Sequence, residues 1–250
     1  MTGVQTCALP IFYAGVEDRP LESGGVEISP GVHAIPVRGA TVYLVAEERL
    51  TLIDAGLPGS RQPLLSYLHG IGRSITELEW IICTHGHPDH IGGVHELVGP
   101  QVEVLMHPAD LAALRGTFRD VLAASHGGSR RGHFIQYLTR HPGEATPIED
   151  GDVLPVLGEL KVIHTPGHTP GSICLYAPGP RILFSGDVLT VARGRLGFAS
   201  TFFSHDIKAA RASVRGLASC DIEQIAFSHF PVWRNDANGA IARLVDRPKS

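Results

Sequence analysis

The order of segments along the chain predicts an α/β fold with a two-sheet core and helices outside it. Short β-branched apolar segments, typical of strands, alternate with segments whose apolar residues recur at helical spacing. Polar and Gly/Pro-containing turns separate these segments, and none of them has the character of a domain linker. We therefore predict one α/β domain.

The composition is typical of a soluble globular protein. Of the 250 residues, 43% are hydrophobic and 18% are charged. The formal net charge of -4 argues against binding to the phosphate backbone of nucleic acids. No apolar run approaches the roughly 20 residues that cross a bilayer. We expect a small-molecule substrate and neither a nucleic-acid nor a membrane partner, and the composition leaves the oligomeric state open.

Residues 1–11 resemble a translated sequencing-library adapter, so we exclude them from the fold and predict a single domain over residues 12–250. The exclusion removes Cys7 and leaves an odd number of widely spaced cysteines, namely Cys83, Cys174 and Cys220. Such a set is no disulfide framework and indicates a reducing compartment. We therefore expect a cytoplasmic protein, although a native N-terminus lost to the adapter would hide any signal peptide.

The first half of the chain predicts an antiparallel meander followed by a helix. Strand-like segments over residues 32–37, 41–45 and 50–54 are short, β-branched and bounded by glycine or charged turns. After them, Ser60 is a candidate N-cap, and the apolar stripe over residues 63–68 predicts a helix.

The remaining segments continue this alternation. We predict a helix start over residues 91–97, strands over 102–106, 160–164, 173–176, 182–185 and 225–227, and helices from Pro108, over 206–217 and over 238–244. Residues 194–203 predict a loop rich in glycine and aromatic side chains. Residues 115–149 carry no core pattern and form either a flap beside the functional site or a solvated connection.

The strongest chemical signal is the stretch Thr84–His90, which reads THGHPDH and follows an apolar strand-like run. Residues two apart on an extended backbone point the same way, so His85 and His87 can bind one ion. Asp89 and His90 follow the bend and can face a second ion. Four ligand-type side chains on one strand-to-helix turn therefore predict a two-metal site.

Two ions need more ligands than this turn supplies, and candidates follow other predicted strands. His168 lies in the Pro/Gly loop Thr165–Ser172, between two strands. Asp187 comes directly after an apolar strand, and His229 comes after the last strand. His205 is the alternative to His229, but it precedes a helix instead of ending a strand, so we favour His229.

Together, the motifs HxHxDH, PGHTPGS and FSGD and the late strand-end histidine resemble the metallo-β-lactamase superfamily over residues 32–232. The resemblance implies a four-layer αββα sandwich with the metal site along one sheet edge. By position, it implies that His85, His87 and His168 hold a first metal, that Asp89, His90 and His229 hold a second, and that Asp187 bridges both. It also implies that Asp54 orients a ligand histidine. One departure is Ser228-His229-Phe230-Pro231, where the family usually has Gly-His-Gly.

The resemblance implies a metal-dependent hydrolase in which a hydroxide that bridges two divalent metal ions attacks a carbonyl carbon. Asp89 is expected to pass a proton to the leaving group. Asp187 makes the chain similar to the dinuclear thioesterase, lactonase and glyoxalase II branches, because β-lactamases of the family generally lack it. We therefore expect cleavage of an ester-type bond, a lactone or thioester first, with zinc as the favoured metal and iron or manganese as alternatives.

Other activities stay open at this point. They are β-lactam hydrolysis and a mononuclear iron persulfide dioxygenase, which uses much of the same ligand set; the acidic charge balance disfavours phosphodiester cleavage. Cys83 lies beside the predicted ligands, but its apolar strand indicates a core residue and not a nucleophile. The loops 116–140 and 194–203 are expected to decide the substrate. Candidate pocket side chains are Phe118, Phe134, Tyr137, Phe198, Phe202 and Phe203.

Overall fold

The structure is a computed structural model that describes residues 24–111 and 145–246. The predicted adapter segment 1–11 and the candidate loop 116–140 lie outside the described residues, as do Phe118, Phe134 and Tyr137. The single domain over residues 12–250 stays a prediction.

Among the described residues, the first sheet has seven strands in chain order. They are β1 (Val26–Ser29), β2 (Val32–Pro36), β3 (Thr41–Ala46), β4 (Leu50–Ile53), β5 (Leu78–Cys83), β6 (Glu103–Met106) and β7 (Thr146–Pro147). The predicted meander is confirmed, because β2, β3 and β4 pair antiparallel. From β4 onward the pairing is parallel, which places the carboxyl ends of β4, β5 and β6 at one edge.

The second sheet has five strands in the described part of the chain, and a separate hairpin lies beside it. In chain order the strands of both are β8 (Val153–Leu154), β9 (Leu160–His164), β10 (Ile173–Ala177), β11 (Ile182–Phe184), β12 (Leu189–Ala192), β13 (Arg195–Phe198) and β14 (Gln224–Ala226). The spatial order of the sheet is β14-β11-β10-β9-β8, and β11 and β14 are parallel.

The hairpin of β12 and β13 corrects the prediction of a loop over residues 194–203. Arg193 and Gly194 have φ angles of 51° and 68°, the left-handed conformation that closes a two-residue hairpin with the twist of its strands. The first half of the predicted loop is therefore a strand.

Five α-helices lie in the described ranges: α1 (Arg61–Gly70), α2 (Pro88–Ile91), α3 (Val94–Leu97), α4 (Ile207–Leu217) and α5 (Ala237–Val245). The helix predicted over residues 91–97 is present as α3, but the helical segment starts earlier, because α2 begins at Pro88, whose restricted φ suits a first helical turn. Ser60 is the N-cap residue of α1, as predicted, but its side chain does not cap the helix, because its hydroxyl donates to the carbonyl oxygen of Leu57. No helix within residues 24–111 and 145–246 is long and apolar enough to cross a membrane.

Alternating buried side chains on β3 reveal the first two apolar layers. Val42 and Leu44 belong to the layer that contains Leu64 of α1. Tyr43 and Val45 belong to the layer between the two sheets. Successive strand residues point to opposite faces, so this sheet is covered by helix on one face and by the other sheet on its second face.

The second sheet alternates in the same way. On β10, Leu175 belongs to the layer between the sheets. Cys174 and Tyr176 belong to a third layer, which contains Val214 of α4 and Ile241 of α5. The order helix, sheet, sheet, helix confirms the predicted αββα sandwich.

Candidate metal centre

The predicted site residues lie just beyond the carboxyl ends of strands. Asp54 follows β4, the stretch Thr84–His90 follows β5, Asp187 follows β11 and His229 follows β14. Parallel pairing of β4 with β5, and of β11 with β14, places these ends side by side within each sheet. His168 lies in the loop between β9 and β10 and completes the set.

His85, His87 and His168, which we call the first group, converge on one point. Nε2 of His85 lies 3.1 Å from Nδ1 of His87, and Nε2 of His168 lies 2.9 Å from the same Nδ1 atom. The rings of His85 and His168 are buried, and that of His87 is half-buried. With Asp187, each of these residues offers one potential ligand atom within 4.8 Å of the others.

Asp89, His90 and His229, the second group, also bring their potential ligand atoms within 4.8 Å of one another. Nε2 of His229 lies 3.2 Å from Oδ2 of Asp89, and Nε2 of His90 lies 3.9 Å from the same oxygen. His205, the sequence alternative to His229, belongs to no such cluster in the described part of the chain. Its backbone N–H donates instead to the carbonyl oxygen of His168.

Asp187 lies between the two groups. Its Oδ2 is 3.5 Å from Nε2 of His168 and 3.3 Å from Nε2 of His229. Its Oδ1 is 3.5 Å from Nε2 of His90. One carboxylate therefore faces nitrogen atoms of both groups, which is the arrangement that a bridging ligand requires.

The sequence profile of the metallo-beta-lactamase superfamily matches residues 35–229, which include both groups and Asp187. The chain belongs to this superfamily. It is accordingly a metallo-hydrolase by family, and its relatives carry hydrolase names.

Relatives of this metallo-hydrolase come from bacteria and animals. It is 29% identical over 251 residues to "Probable metallo-hydrolase YflN" of Bacillus subtilis (strain 168), with 90% of this chain and 94% of that protein covered. It is 36% identical over 194 residues to "Acyl-coenzyme A thioesterase MBLAC2" of Gallus gallus, with 68% of this chain and 65% of that protein covered. It is also 30% identical over 169 residues to "Hydroxyacylglutathione hydrolase" of Prochlorococcus marinus, with 63% and 54% covered.

A solved structure supports the fold of this superfamily member. The crystal structure of a metallo-beta-lactamase family protein from Thermus thermophilus superposes with a TM-score of 0.71 at 23% identity. The superposition covers 88% of this chain and 79% of that one. At this level of identity the likeness shows the fold alone.

The first group of the metallo-hydrolase is electrically neutral. Burial lowers the pKa of His85 well below its usual value, and the neighbouring imidazoles of His90 and His168 lower it further. Burial also lowers the pKa of His87 and brings that of His168 to about 3. Near neutral pH these rings therefore carry a free nitrogen lone pair, as a metal ligand must.

The second group is charged. Burial by itself would lower the pKa of His90 and of His229, but neighbouring carboxylates outweigh it. Asp54 and Asp187 hold the pKa of His90 well above its usual value, and Asp187 and Asp89 raise that of His229 to about 9. Burial opposes ionisation of Asp89, yet the two imidazoles lower its pKa to about 2. Binding of a cation here would release protons from the imidazoles.

Asp54 anchors the segments that carry the histidines. Its carboxylate accepts from Nδ1 of His90 at 2.7 Å, from the Thr84 N–H at 2.8 Å and from the Thr84 hydroxyl at 2.9 Å. The Ser228 hydroxyl also donates to it, at 3.4 Å. Because Thr84 gives its only hydroxyl proton to Asp54, its oxygen accepts from Nδ1 of His85 at 3.1 Å. His85 and His90 therefore each keep a proton on Nδ1 and turn Nε2 towards the site.

The residues fit divalent metal ions. Nε2 of His90 is buried and has no hydrogen-bond partner among the described residues, and it lies 3.9 Å and 3.5 Å from oxygens of Asp89 and Asp187. A buried polar atom without a partner costs free energy, so its presence indicates something that binds there. Imidazoles and carboxylates without a thiolate suit zinc, and also iron or manganese.

Sequence patterns did not reveal two residues that contact the site. The Ser204 hydroxyl donates to the Ser200 carbonyl oxygen at 2.6 Å and lies 3.3 Å from Nδ1 of His168, so it accepts the Nδ1 proton and leaves Nε2 of that ring for a metal. No motif marks Ser204. Asp110 binds the loops of the first group, whereas its sequence position near Pro108 predicted a helix start only.

Cys83 is fully buried in the apolar layer beside α1, in agreement with its prediction as a core residue. Burial raises the pKa of its thiol well above the usual value, which disfavours a nucleophilic thiolate. Among the pocket candidates, Phe198 packs against the guanidinium of Arg211. Phe202 and Phe203 are exposed and contact each other edge to face, and their role in a pocket stays a prediction.

Proposed function

We propose that this metallo-hydrolase cleaves an ester-type bond, a thioester or a lactone, with two divalent metal ions bound at the two groups. The observation that carries the proposal is the position of Asp187, whose carboxylate oxygens lie 3.3 Å to 3.5 Å from nitrogen atoms of both groups. The relatives named as a thioesterase and as a hydroxyacylglutathione hydrolase support an acyl substrate.

Each metal has its own ligand set in this proposal. His85, His87 and His168 would hold the first, Asp89, His90 and His229 would hold the second, and Asp187 would serve both. Zinc is the first choice, with iron and manganese as the alternatives. When bound, the metal ions supply a hydroxide at neutral pH and polarise the carbonyl oxygen of the substrate.

Asp89 is the proposed catalytic proton carrier. Its carboxylate lies within the second group and beside Asp187, where it can accept a proton and return it to the leaving group. Its Oδ2 lies 3.2 Å from Nε2 of His229, a contact that sets the orientation of the carboxylate. About a third of the side chain (32%) is exposed, so a substrate can reach it.

Three other residues orient the imidazoles without touching the substrate. Asp54 holds Nδ1 of His90, Thr84 holds Nδ1 of His85, and Ser204 holds Nδ1 of His168. Fixing the proton on Nδ1 selects the ring tautomer that presents Nε2 as a ligand. These contacts pre-organise the first group before any metal binds, whereas His90 has first to release its Nε2 proton.

Metal analysis combined with a substrate panel tests the proposal. We expect about two metal ions per chain and turnover of a thioester or a lactone. His87→Ala and Asp187→Asn should each lose bound metal and activity, because each removes a proposed ligand. His69→Ala is the matched control, because this exposed histidine lies in the last turn of α1 and belongs to neither group.

The same panel separates the rival activities. Turnover of a chromogenic cephalosporin alone would indicate a β-lactamase, and oxygen consumption with a persulfide would indicate an iron dioxygenase. A metal-loaded protein that turns over no lactone, thioester, ester or β-lactam would refute the proposed function. Full activity of His87→Ala or Asp187→Asn would refute the assignment of the site.

A further inference from the structure

Asp110 joins two loops through three hydrogen bonds. It ends the 3₁₀ turn Pro108–Asp110 that follows β6, and its side chain is buried. Its Oδ2 accepts from the backbone N–H of Gly86 at 2.8 Å and from the hydroxyl of Thr169 at 2.5 Å. Its Oδ1 accepts from the backbone N–H of Gly171 at 2.7 Å.

The donors lie next to the first group in the chain. Gly86 stands between His85 and His87, and Thr169 directly follows His168. One carboxylate therefore connects the turn that carries two of these histidines to the loop that carries the third.

The loop of His168 is built around this carboxylate. A Cβ atom at Gly171 would lie 2.7 Å from the Asp110 backbone nitrogen and from its Cγ, so only glycine permits the approach. The Thr169 hydroxyl donates its proton to Asp110 and accepts one from the Ser172 hydroxyl at 2.7 Å. The Ser172 oxygen in turn accepts from the Thr169 N–H at 2.9 Å. The Thr, Gly and Ser of the HTPGS segment thus each serve the contact with Asp110.

A small movement between the two loops would disturb the first group. Nε2 of His168 lies 2.9 Å from Nδ1 of His87, across the gap that Asp110 spans. Charge-assisted hydrogen bonds to a buried carboxylate are among the stronger polar contacts in proteins, and three of them join the two loops. His87 and His168 lie on separate segments of the chain, so the distance between them depends on the elements that hold those segments together.

We propose that Asp110 is a positioning residue for the first metal, which sets the separation of the two loops so that the nitrogens of His85, His87 and His168 converge. This inference rests on the proposed metal centre. Asp54 serves the second group in the corresponding way, because it holds His90 directly.

The test measures the two stepwise zinc affinities of an Asp110→Asn variant by competition with a chromophoric chelator. Asparagine keeps the volume of aspartate, but its amide NH₂ faces a donor wherever it points, so at least one hydrogen bond is lost. We expect the affinity of the first metal to fall about 10–100-fold, and that of the second to change less. Asp54→Asn should show the opposite order.

Histidine-ring ¹H–¹⁵N NMR during the zinc titration identifies which metal is affected. In Asp110→Asn, the ring signals of His85, His87 and His168 should reach their metal-bound positions at higher zinc concentration than in the unaltered chain. The signals of His90 and His229 should follow the unaltered chain more closely. A residue that only supported folding would shift both sets together.

A second test variant and a control variant complete the experiment. Thr169→Val removes one hydrogen-bond donor to Asp110 and should lower the affinity for the first metal by a smaller factor. This variant replaces Asp110→Asn in the test if Asp110→Asn does not fold. Asp150→Asn is the matched control, because this exposed carboxylate accepts from the His164 N–H and should leave both affinities unchanged. Unchanged first-metal affinity in the folded variants, or equal weakening of both metals, would overturn the inference. If the unaltered chain bound no zinc, the proposed function would fail instead.

Discussion

Replacing Asp54 by asparagine tests how the second group is oriented. Asp54 is 1% exposed, and its backbone has a φ of 61°, in the left-handed region. Asparagine tolerates that conformation, whereas alanine would add backbone strain of about 1–2 kcal/mol. The substitution therefore keeps the volume and the backbone while it removes the charge.

The hydrogen bonds of Asp54 set the magnitude of the expected effect. Its Oδ1 accepts from the Thr84 N–H at 2.8 Å, and its Oδ2 accepts from Nδ1 of His90 at 2.7 Å. In the variant, the amide oxygen can keep the bond to Thr84, so the amide nitrogen faces His90. A nitrogen that donates to Nδ1 moves the ring proton to Nε2, the atom that would bind the metal. Loss of such an orienting partner costs about 10–100-fold in metal affinity, or about 1.4–2.7 kcal/mol.

Chelator competition on the purified Asp54→Asn variant measures this loss for each of the two metals. The affinity for the second metal should fall, and the affinity for the first should stay closer to its original value. Ser228→Ala is the comparison, because that hydroxyl reaches Asp54 at 3.4 Å and should contribute less. Wild-type affinity for both metals in a folded Asp54→Asn protein would refute the orienting role of Asp54.

Three further predictions concern the core, the thiols and the metals. Phe184→Ala should lower the free energy of unfolding in urea by about 3–5 kcal/mol, because Phe184 is 1% exposed and lies between the sheets. Phe202→Ala should lower it by at most about 0.5 kcal/mol, because Phe202 is 86% exposed. Equal losses would contradict the layer order. Burial raises the pKa of the Cys174 thiol from 9.0 to about 12. The free energy of unfolding should therefore keep its full contribution from this thiol below pH 9 and fall by up to about 1.4 kcal/mol per pH unit as the pH rises towards 12. Urea titrations should show a shallower fall for the Cys174→Ala variant. Complete removal of metal by a chelator should lower the midpoint of thermal unfolding, because a metal present at about 1,000 times its Kd stabilises the folded state by about 4 kcal/mol. Added zinc should restore the midpoint. A midpoint that does not change on chelation would argue against metal binding to the folded chain.

The strands were largely predictable because their signal is local. On β3, alternate side chains enter different apolar layers, and a period of two is visible in the sequence itself. The misses occur where one backbone conformation decides the outcome. The hairpin of β12 and β13 depends on left-handed φ angles at Arg193 and Gly194, and arginine rarely adopts that conformation, so the sequence gives no signal for it. At Ser60, the hydroxyl binds the Leu57 carbonyl oxygen instead of a helix N–H.

The candidate ligands of the centre were predictable from the order of residues, because imidazoles and carboxylates at strand ends are recognisable from their spacing. The contacts that hold these ligands in place became visible only in the folded chain. Asp110 meets Gly86 across 24 positions and Thr169 across 59, and Ser204 meets His168 across 36. Such hydrogen bonds leave no period and no motif in the chain, because they form between segments that only folding brings together.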